Sequence, residues 1–230
     1  MAIGRRICPV RGRSAVVALA VAVGLLATAC GQPDSRYIKT PDATAYSKIP
    51  IRWTTYDTGQ MLPAVLALES QPEGSLSPTQ VDNRQARNWI TGFAADPRAT
   101  PQSVAVLAAP VPVGFMRQQL LSTAERESMS LTTLKNRPIA IDQLSQDKPD
   151  VVNIVKQNEF FFPGGFHAFE SIFTLKTPQG TFITGNQVSA VDPSTSVLYE
   201  FVVGCEASCY QHNLETINEI VQSWTVRPPS

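Results

Sequence analysis

The clearest hydrophobic pattern occupies the last third of the chain, where apolar and β-branched residues recur in three stretches separated by short turns. Residues 166–176 and 181–191 predict two strands, because a turn containing proline and glycine separates them. Residues 197–203 predict a third strand after another short turn. Gly185 predicts a bulge or kink within the second strand. Together the three strands predict an antiparallel meander.

Helical periodicity replaces this alternation near the C-terminus. Asn213 is the predicted N-cap, and Glu215 lies in the first turn, where the helix dipole favours an acidic side chain. One face of the helix carries the apolar residues Leu214, Ile217, Ile220, Val221 and Trp224. We therefore expect the helix to lie across the meander and to end before Pro228. The predicted fold class is α+β, an antiparallel sheet meander covered by helices.

The earlier part of the chain shows weaker patterns. It predicts a strand at 49–56, a short helix at 61–69, a buried strand at 103–109 and a helix at 115–128. The last of these helices rests on Met116, Leu120 and Ala124, which are spaced four residues apart. Residues 69–101, rich in Gly, Pro and Asn, predict a largely irregular loop that includes one short strand.

The N-terminus has the layout of a secretory signal peptide, with four arginines, no acid and then an apolar run from residue 15 to residue 29. Its ending, Ala27-Thr28-Ala29-Cys30, resembles the lipobox of bacterial lipoproteins. That resemblance implies cleavage before Cys30 and lipidation of this cysteine. Two alternatives stay open: a membrane-spanning helix, for which the run is short, and ordinary cleavage that leaves a free cysteine. The predicted organisation is a signal peptide at 1–29, a lipidated polar tether at 30–48 and a single domain at 49–230.

Charge and composition narrow the range of partners. Removal of residues 1–29 takes away four arginines and leaves 15 basic against 19 acidic residues. A mildly acidic chain without a cluster of Lys or Arg has no electrostatic footprint for nucleic acid. Hydrophobic residues make up 43% of the chain, which is enough for a globular core.

Two cysteines, Cys205 and Cys209, remain in the domain. Outside the cytoplasm two remaining thiols usually pair, so the first interpretation is a disulfide that closes a bend before the last helix. Together with His212 the same residues could instead ligate zinc, although only three ligands lie close in sequence. A redox-active pair is the third alternative.

Three consecutive aromatic residues, Phe160, Phe161 and Phe162, precede two glycines and His167. Side chains alternate in an extended strand, so the three rings cannot all enter one core. Either they pack beneath the irregular loop at 69–101, or they form an exposed patch for a hydrophobic ligand or partner. His167 either bonds to backbone at the rim of the sheet or contacts that ligand.

Residues 128–226 resemble a family of uncharacterised actinobacterial cell-surface lipoproteins. The matching segments include Gly164-Gly165-Phe166-His167, Val203-Gly204-Cys205-Glu206-Ala207-Ser208-Cys209-Tyr210 and Ser223-Trp224-Thr225-Val226. The order of an early strand, a meander and a closing helix also resembles the α/β/α sandwich of PsbP-like and LpqN-like domains. Both resemblances imply a binding or assembly module, and neither supplies a catalytic residue.

The predicted function is therefore a non-catalytic binding or assembly module of the cell envelope, anchored by lipid to the extracytoplasmic face of the cell membrane. Its expected partners are an envelope protein or a hydrophobic ligand, with no cofactor and no metal. The alternative is an envelope hydrolase or transferase with a site in residues 69–101. An enzyme would gather titratable side chains in a pocket, whereas a binding module would present an apolar groove or patch.

Overall fold

The main sheet is built from seven antiparallel strands in the computed structural model, which describes residues 34–68, 83 and 85–228. The predicted signal peptide and Cys30 lie outside the described residues. The strands are β3 (Thr54–Tyr56), β4 (Asn88–Ala94), β5 (Val113–Leu120), β6 (Val152–Phe162), β7 (Phe166–Lys176), β8 (Phe182–Val191) and β9 (Val197–Glu206). Their spatial order is β3-β4-β5-β9-β8-β7-β6.

A second, smaller sheet lies beside the main one. Its strands are β1 (Ser35–Lys39), β2 (Ala45–Pro50) and β10 (Thr225–Val226), in the order β1-β2-β10. All of these elements belong to one compact unit, Ser35–Ser230, which contains its own hydrophobic core.

Helices cover both faces of the main sheet. They are α1 (Thr58–Leu68), α2 (Pro101–Ala105), α3 (Thr123–Glu127), α4 (Leu131–Lys135), α5 (Ile141–Asp147), α6 (Ala207–His212) and α7 (Leu214–Ser223). Among the helices of the described residues, none is long and apolar enough to cross a bilayer.

The two faces carry different cores. On the first face, α6, α7 and the small sheet bury a cluster that includes Phe93, Phe201 and Trp224. On the second face, α1, α2 and α5 bury a cluster that includes Val104 and Ile141. Members of the two clusters alternate along the central strands β4, β5 and β9, because successive side chains point to opposite faces of a sheet.

The α+β class, the meander and the closing helix are confirmed. Strands β7, β8 and β9 pair in succession, and α7 begins directly after Asn213. Ile217, Ile220 and Trp224 are buried as predicted, whereas Leu214 is 41% exposed. The predicted helix at 61–69 is also present, as α1. It starts at Thr58, because Asp57 accepts a hydrogen bond from the backbone N–H of Gln60.

The predicted tether is wrong from residue 35 onward, because residues 35–39 and 45–50 form the β1–β2 hairpin. The apolar side chains of this segment are few but well placed. Ile38, Ala45 and Ile49 are buried against the first-face core. The domain therefore begins at the start of β1, and the predicted single strand at 49–56 is divided between β2 and β3.

Two predictions in the middle of the chain exchange helix and strand. Residues 103–109, predicted as a strand, include the end of α2, which begins with Pro101 after a capping box formed by Thr100 and Ser103. Residues 115–120, predicted as helix, lie in β5, the neighbour of β4 and β9. The strand is buried on both faces, and this hides the alternation on which a strand assignment depends.

The predicted bulge at Gly185 is also wrong, since this residue pairs in regular register with Phe173 and Gly204. Of residues 69–101, those at 69–82 and 84 lie outside the described set. The described remainder includes β4, seven residues long and paired along its whole length with β5. This part of the segment is therefore a strand of the main sheet.

Candidate ligand-binding cavity

An apolar cavity of about 680 Å³ opens on the second face of the main sheet, beside the β7–β8 turn. Its volume falls within the range of small-molecule sites. The aliphatic part of its lining consists of Val106, Ala108, Ile139, Leu144, Val151, Leu175, Pro178 and Ile183. These residues come from the α2–β5 connection, α5 and its flanks, and the ends of β7 and β8 with the turn between them.

One wall of the cavity depends on two glycines. Gly185 of β8 and Gly204 of β9 face each other across the two strands. A Cβ on Gly185 would lie 2.8 Å from the side chain of Leu107, and one on Gly204 would lie 3.1 Å from it. The glycines therefore leave the space that the fully buried Leu107 occupies. The inserted leucine holds the neighbouring Val106 at the cavity.

The opposite wall of the cavity includes Ile139, in the segment before α5. Buried amide and hydroxyl groups of β8 attach this segment to the sheet. The side-chain N–H groups of Gln187 donate to the carbonyls of Lys135 and Ile139, at 3.2 and 3.1 Å. Its side-chain oxygen accepts from the backbone N–H of Ile139 at 3.3 Å, and Ser189 donates to the carbonyl of Arg137 at 2.6 Å. These bonds position the segment before α5, so the wall has a defined place.

The charged groups of the lining are both cationic. Lys148 follows α5, Lys176 ends β7, and both side chains are exposed to solvent. The ammonium group of Lys176 lies 5.7 Å from the ring centroid of Phe182. The described lining contains no carboxylate, imidazole or thiol. Such a cavity can take up an apolar body and pair an anionic end group with the lysines at its mouth.

The predicted aromatic patch lies elsewhere, on the outer strands β6 and β7. Phe161 is 65% exposed and stacks on His167 with ring centroids 4.8 Å apart. His167 Nε2 lies 2.7 Å from a carboxylate oxygen of Glu159. Phe160 and Phe162 point to the other face of the sheet, as the alternation of side chains requires.

Of the two inward rings, Phe162 contacts Trp224 at the end of α7, with centroids 5.2 Å apart. Phe160 packs edge-on against Phe162 at 5.1 Å. The sequence pattern did not pair these rings with the C-terminal tryptophan. The three consecutive aromatics thus divide between core and surface, and none of them lines the cavity.

Cys205 and Cys209 form a disulfide with Cα atoms 5.9 Å apart. It connects the end of β9 to α6, a short helix where the sequence predicted a simple bend. His212 Nδ1 lies 2.6 Å from the carbonyl oxygen of Ser208. Over the described residues no group of three or more His, Cys, Asp or Glu side chains is placed to hold a metal ion. In this structure the two thiols of the considered zinc arrangement are bonded to each other.

A buried tyrosine lies next to this disulfide. Tyr210 is 2% exposed, and burial together with the negative charge of Glu170 raises the pKa of its phenol to about 12. It stays protonated at neutral pH and does not act as a base there.

The described part of residues 69–101 presents an exposed ion pair between Asp96 and Arg98, with atoms 2.6 Å apart. Hydrogen bonds from Arg98 hold the pKa of the Asp96 carboxyl at about 2. A general acid or base near neutral pH needs a pKa shifted in the other direction. A lowered pKa is typical of a carboxylate in a surface salt bridge.

Several solved structures are similar to this chain. Cyanobacterial PsbP (CyanoP) from Synechocystis sp. PCC 6803 is 7% identical, with 86% of this chain and 95% of that chain covered and a TM-score of 0.45. LpqN of Mycobacterium tuberculosis, involved in cell envelope biogenesis, is 15% identical over 86% of this chain and 93% of that chain, with a TM-score of 0.40. The Ran-binding protein Mog1p of Saccharomyces cerevisiae is 9% identical over 84% and 95%, with a TM-score of 0.38. No protein-family model matches the chain, and no curated protein matches it in sequence. The PsbP and LpqN folds expected from the sequence are thus among the similar structures, and the likeness concerns the fold alone.

Proposed function

We propose that this chain is a non-catalytic binding module of the cell envelope, which holds an amphiphile with an acyl chain and an anionic head in the cavity beside the β7–β8 turn. The observation that carries the proposal is the lining of the cavity. Aliphatic side chains surround a volume of about 680 Å³, and the two charged groups among the described lining residues are both lysines.

The energetics favour a ligand of this kind. Apolar surface that leaves water contributes about 25 cal/mol per Å², so an acyl chain gains along its whole length inside an aliphatic cavity. A carboxylate or phosphate at the mouth pairs with Lys148 and Lys176, which stay hydrated at the surface. An exposed pair of this kind contributes up to about 1 kcal/mol. Affinity therefore comes mainly from the chain, and the lysines set the orientation and the preference for anions.

Absence of catalysis is part of the same proposal. Chemistry on a bound amphiphile needs a nucleophile, an acid or a base within hydrogen-bond reach. The described lining offers threonine, glutamine and lysine side chains but no activating histidine or carboxylate beside them. The cavity thus has the character expected of a binding module rather than of the envelope hydrolase considered as the alternative.

The module is anchored to the extracytoplasmic face of the membrane through Cys30. The lipobox-like sequence before this cysteine and the disulfide between the two cysteines of the domain support this placement. Cys30→Ser should release the protein from the membrane fraction or leave an unprocessed precursor, as seen by fractionation and immunoblotting. A variant that is cleaved normally and stays equally membrane-bound would contradict the anchor.

The ligand is tested on the unlipidated domain, residues 35–230, with the fluorescent fatty acid cis-parinarate and with oleate as competitor. Ala108→Phe places a ring in the cavity and should weaken binding at least about tenfold, the equivalent of roughly 1.4 kcal/mol. The matched control is Ala124→Phe, which puts the same ring on the exposed surface of α3 and should leave affinity unchanged. Equal affinity for both variants would place the ligand elsewhere.

The role of the two lysines is tested by charge reversal. The double variant Lys148→Glu/Lys176→Glu should weaken oleate binding and leave binding of uncharged oleyl alcohol unchanged. The control is Arg98→Glu/Arg126→Glu, which changes net charge by the same amount on exposed residues outside the cavity. If both double variants weaken oleate equally, the effect is one of overall charge and the proposed orientation is wrong.

A further inference from the structure

The outer face of the small sheet carries an unusual set of side chains, two tyrosines among three cations. Tyr37 and Lys39 lie on β1, Tyr46 and Lys48 lie on β2, and Arg227 follows β10. We call these five residues the tyrosine–lysine face. Neighbouring residues of the same strands, such as Ile38, point the other way into the core. The alternation therefore places all five side chains on the side away from the main sheet.

The five side chains contact one another directly. Two ammonium groups lie near the ring of Tyr37, Lys39 Nζ at 5.6 Å and Lys48 Nζ at 5.5 Å from its centroid. The guanidinium of Arg227 lies 5.1 Å from the ring centroid of Tyr46. The two rings meet edge to face at 5.7 Å. Cation–π contacts hold the charges over the rings and leave their N–H groups free to meet an anion.

Among the described residues, no acid forms an ion pair with the cations of this face, Lys39, Lys48 and Arg227. The acid in the adjacent turn, Asp42, accepts hydrogen bonds from Thr40, from the backbone N–H of Thr44 and from Gln118. Its pKa is lowered because these bonds outweigh the effect of its partial burial. The turn carboxylate is thus occupied by its own hydrogen bonds.

A shallow hollow of about 210 Å³ lies between these side chains, lined by Tyr37, Lys39, Ala43, Tyr46 and Arg227. Tyr37 is 52% exposed, and both lysines and the arginine are exposed. Tyrosine is enriched where proteins meet the headgroup layer of a membrane, and each Lys or Arg near an anionic bilayer adds to the attraction. The face therefore combines the two features of a membrane-contacting surface.

The length of chain before β1 supplies an independent argument. Ser35 lies five residue steps after Cys30, and a fully extended chain spans at most about 3.5 Å per step. The start of β1 therefore lies within roughly 18 Å of the cysteine. This step rests on the anchoring proposed above, whereas the composition of the face does not.

We propose that the tyrosine–lysine face docks on an anionic bilayer surface, with lipid phosphates seated among Lys39, Lys48 and Arg227. Docking turns a single-point tether into a defined orientation. The small sheet packs on the first face of the main sheet, and the cavity opens on the second. A docked domain therefore holds its cavity away from the bilayer.

The experiment uses the unlipidated domain, residues 35–230, with vesicles of phosphatidylcholine alone or with added phosphatidylglycerol, in a sedimentation assay at low and physiological salt. The domain should bind the anionic vesicles, with an affinity that falls as the salt concentration rises, and should not bind the neutral vesicles. Lys39→Glu/Lys48→Glu should lower the partition coefficient at least about twenty-five-fold, since each removed cation near the surface accounts for about fivefold. Tyr37→Ser, which keeps all three cations, should lower it less.

The matched control is Arg98→Glu/Arg126→Glu, which makes the same change in net charge and should retain most of the binding. Circular dichroism and the thermal midpoint verify that each variant is folded. Equal loss in both double variants, binding to neutral vesicles, or full competition by millimolar inorganic phosphate would overturn the proposal, the last by pointing to a soluble phosphate ligand. Because neither Cys30 nor the cavity takes part, failure here leaves the fractionation and fatty-acid experiments to decide the proposed function separately.

Discussion

The two faces of the main sheet are closed by different means. On the first face a series of aromatic rings runs from Trp53 through Phe93 and Phe201 to Trp224, with successive centroids 6.0, 5.8 and 5.8 Å apart. On the second face the cover consists of aliphatic side chains on helices as short as α2 and α5, and the cavity of about 680 Å³ lies beside them.

The difference between the two faces follows from the size of the side chains that cover them and from the length of the covering helices. An aromatic side chain buries 150–250 Å² with the backbone of a single residue. The ten-residue helix α7, with Trp224 at its end, therefore covers much of the first face together with α6 and the small sheet. Short helices supply fewer and smaller groups, and their ends leave space between elements. In this domain the second face also buries rings on its strands, such as Phe115 and Phe173, but its covering helices contribute aliphatic groups, and the cavity lies beside them.

The largest expected effect is on the aromatic face. Trp224→Ala should lower the free energy of unfolding by about 3–5 kcal/mol, the range for large core truncations, because Trp224 is 3% exposed and contacts both Phe201 and Phe162. Urea denaturation measures the change. The control on the same helix is Leu214→Ala, which is 41% exposed and should cost less than about 1 kcal/mol. A loss below about 1 kcal/mol for Trp224→Ala would show that α7 does not close this face.

A smaller effect is expected where the cavity wall enters the sheet. A Cβ on Gly204 would overlap the carbonyl oxygen of Thr184, a backbone atom, and would also press on Leu107. Gly204→Ala should therefore cost about 2–3 kcal/mol, the upper part of the range for overpacking, and weaken cis-parinarate binding by displacing the wall.

The control for this substitution is Gly59→Ala within α1, where an added Cβ meets only Asp57 at 3.4 Å. Alanine raises helix propensity, so this variant should be neutral or more stable by about 0.5–1 kcal/mol. If Gly204→Ala lowers stability and leaves fatty-acid affinity unchanged, the wall built around Leu107 does not shape the binding site.

The smallest effect concerns the disulfide on the aromatic face. Its loop is so short that chain-entropy arguments assign it about 2 kcal/mol. Reduction should therefore loosen α6 and the start of α7 while β7, β8 and β9 keep their hydrogen bonds, which hydrogen exchange resolves segment by segment. Mass spectrometry of the unreduced domain should find Cys205 and Cys209 linked within one molecule. Two free thiols that are readily alkylated without denaturant would contradict this prediction.

The meander could be predicted from sequence because its information is local. Each strand is apolar and β-branched where its turns carry Pro, Gly or Asp, and α7 has one apolar and one polar face. The hydrophobic period and the turn residues together therefore identify these elements. Helix α2 was missed although its capping box, Thr100 with Ser103, stands in the sequence, since the valines and alanines that follow also suit a strand. In β5 both faces are buried, so its apolar residues do not alternate with polar ones. Without that alternation, the sequence does not distinguish a buried strand from a buried helix.

The candidate sites also differ in whether their residues are close together in the sequence. The cysteines and the aromatic run at 160–162 were noticed because they are neighbours in sequence. The cavity and the tyrosine–lysine face were missed, because their members are distant in sequence. Tyr37 and Arg227 share a surface only because β2 pairs with both β1 and β10. Val106 and Ile183 line one cavity only because Leu107 enters the space left by two glycines.

By itself, then, the sequence determined the class of the fold, the order of the last three strands and the closing helix, and it identified the signal-like N-terminus and the cysteine pair. Local periodicity, turn chemistry and spacing encode these features. The tertiary structure alone decided where the domain begins, that residues 113–120 form a strand and not a helix, and which side chains meet at the cavity and on the small sheet. The physical reason is that strand pairing and packing join residues far apart in the chain, and no local pattern records those partners.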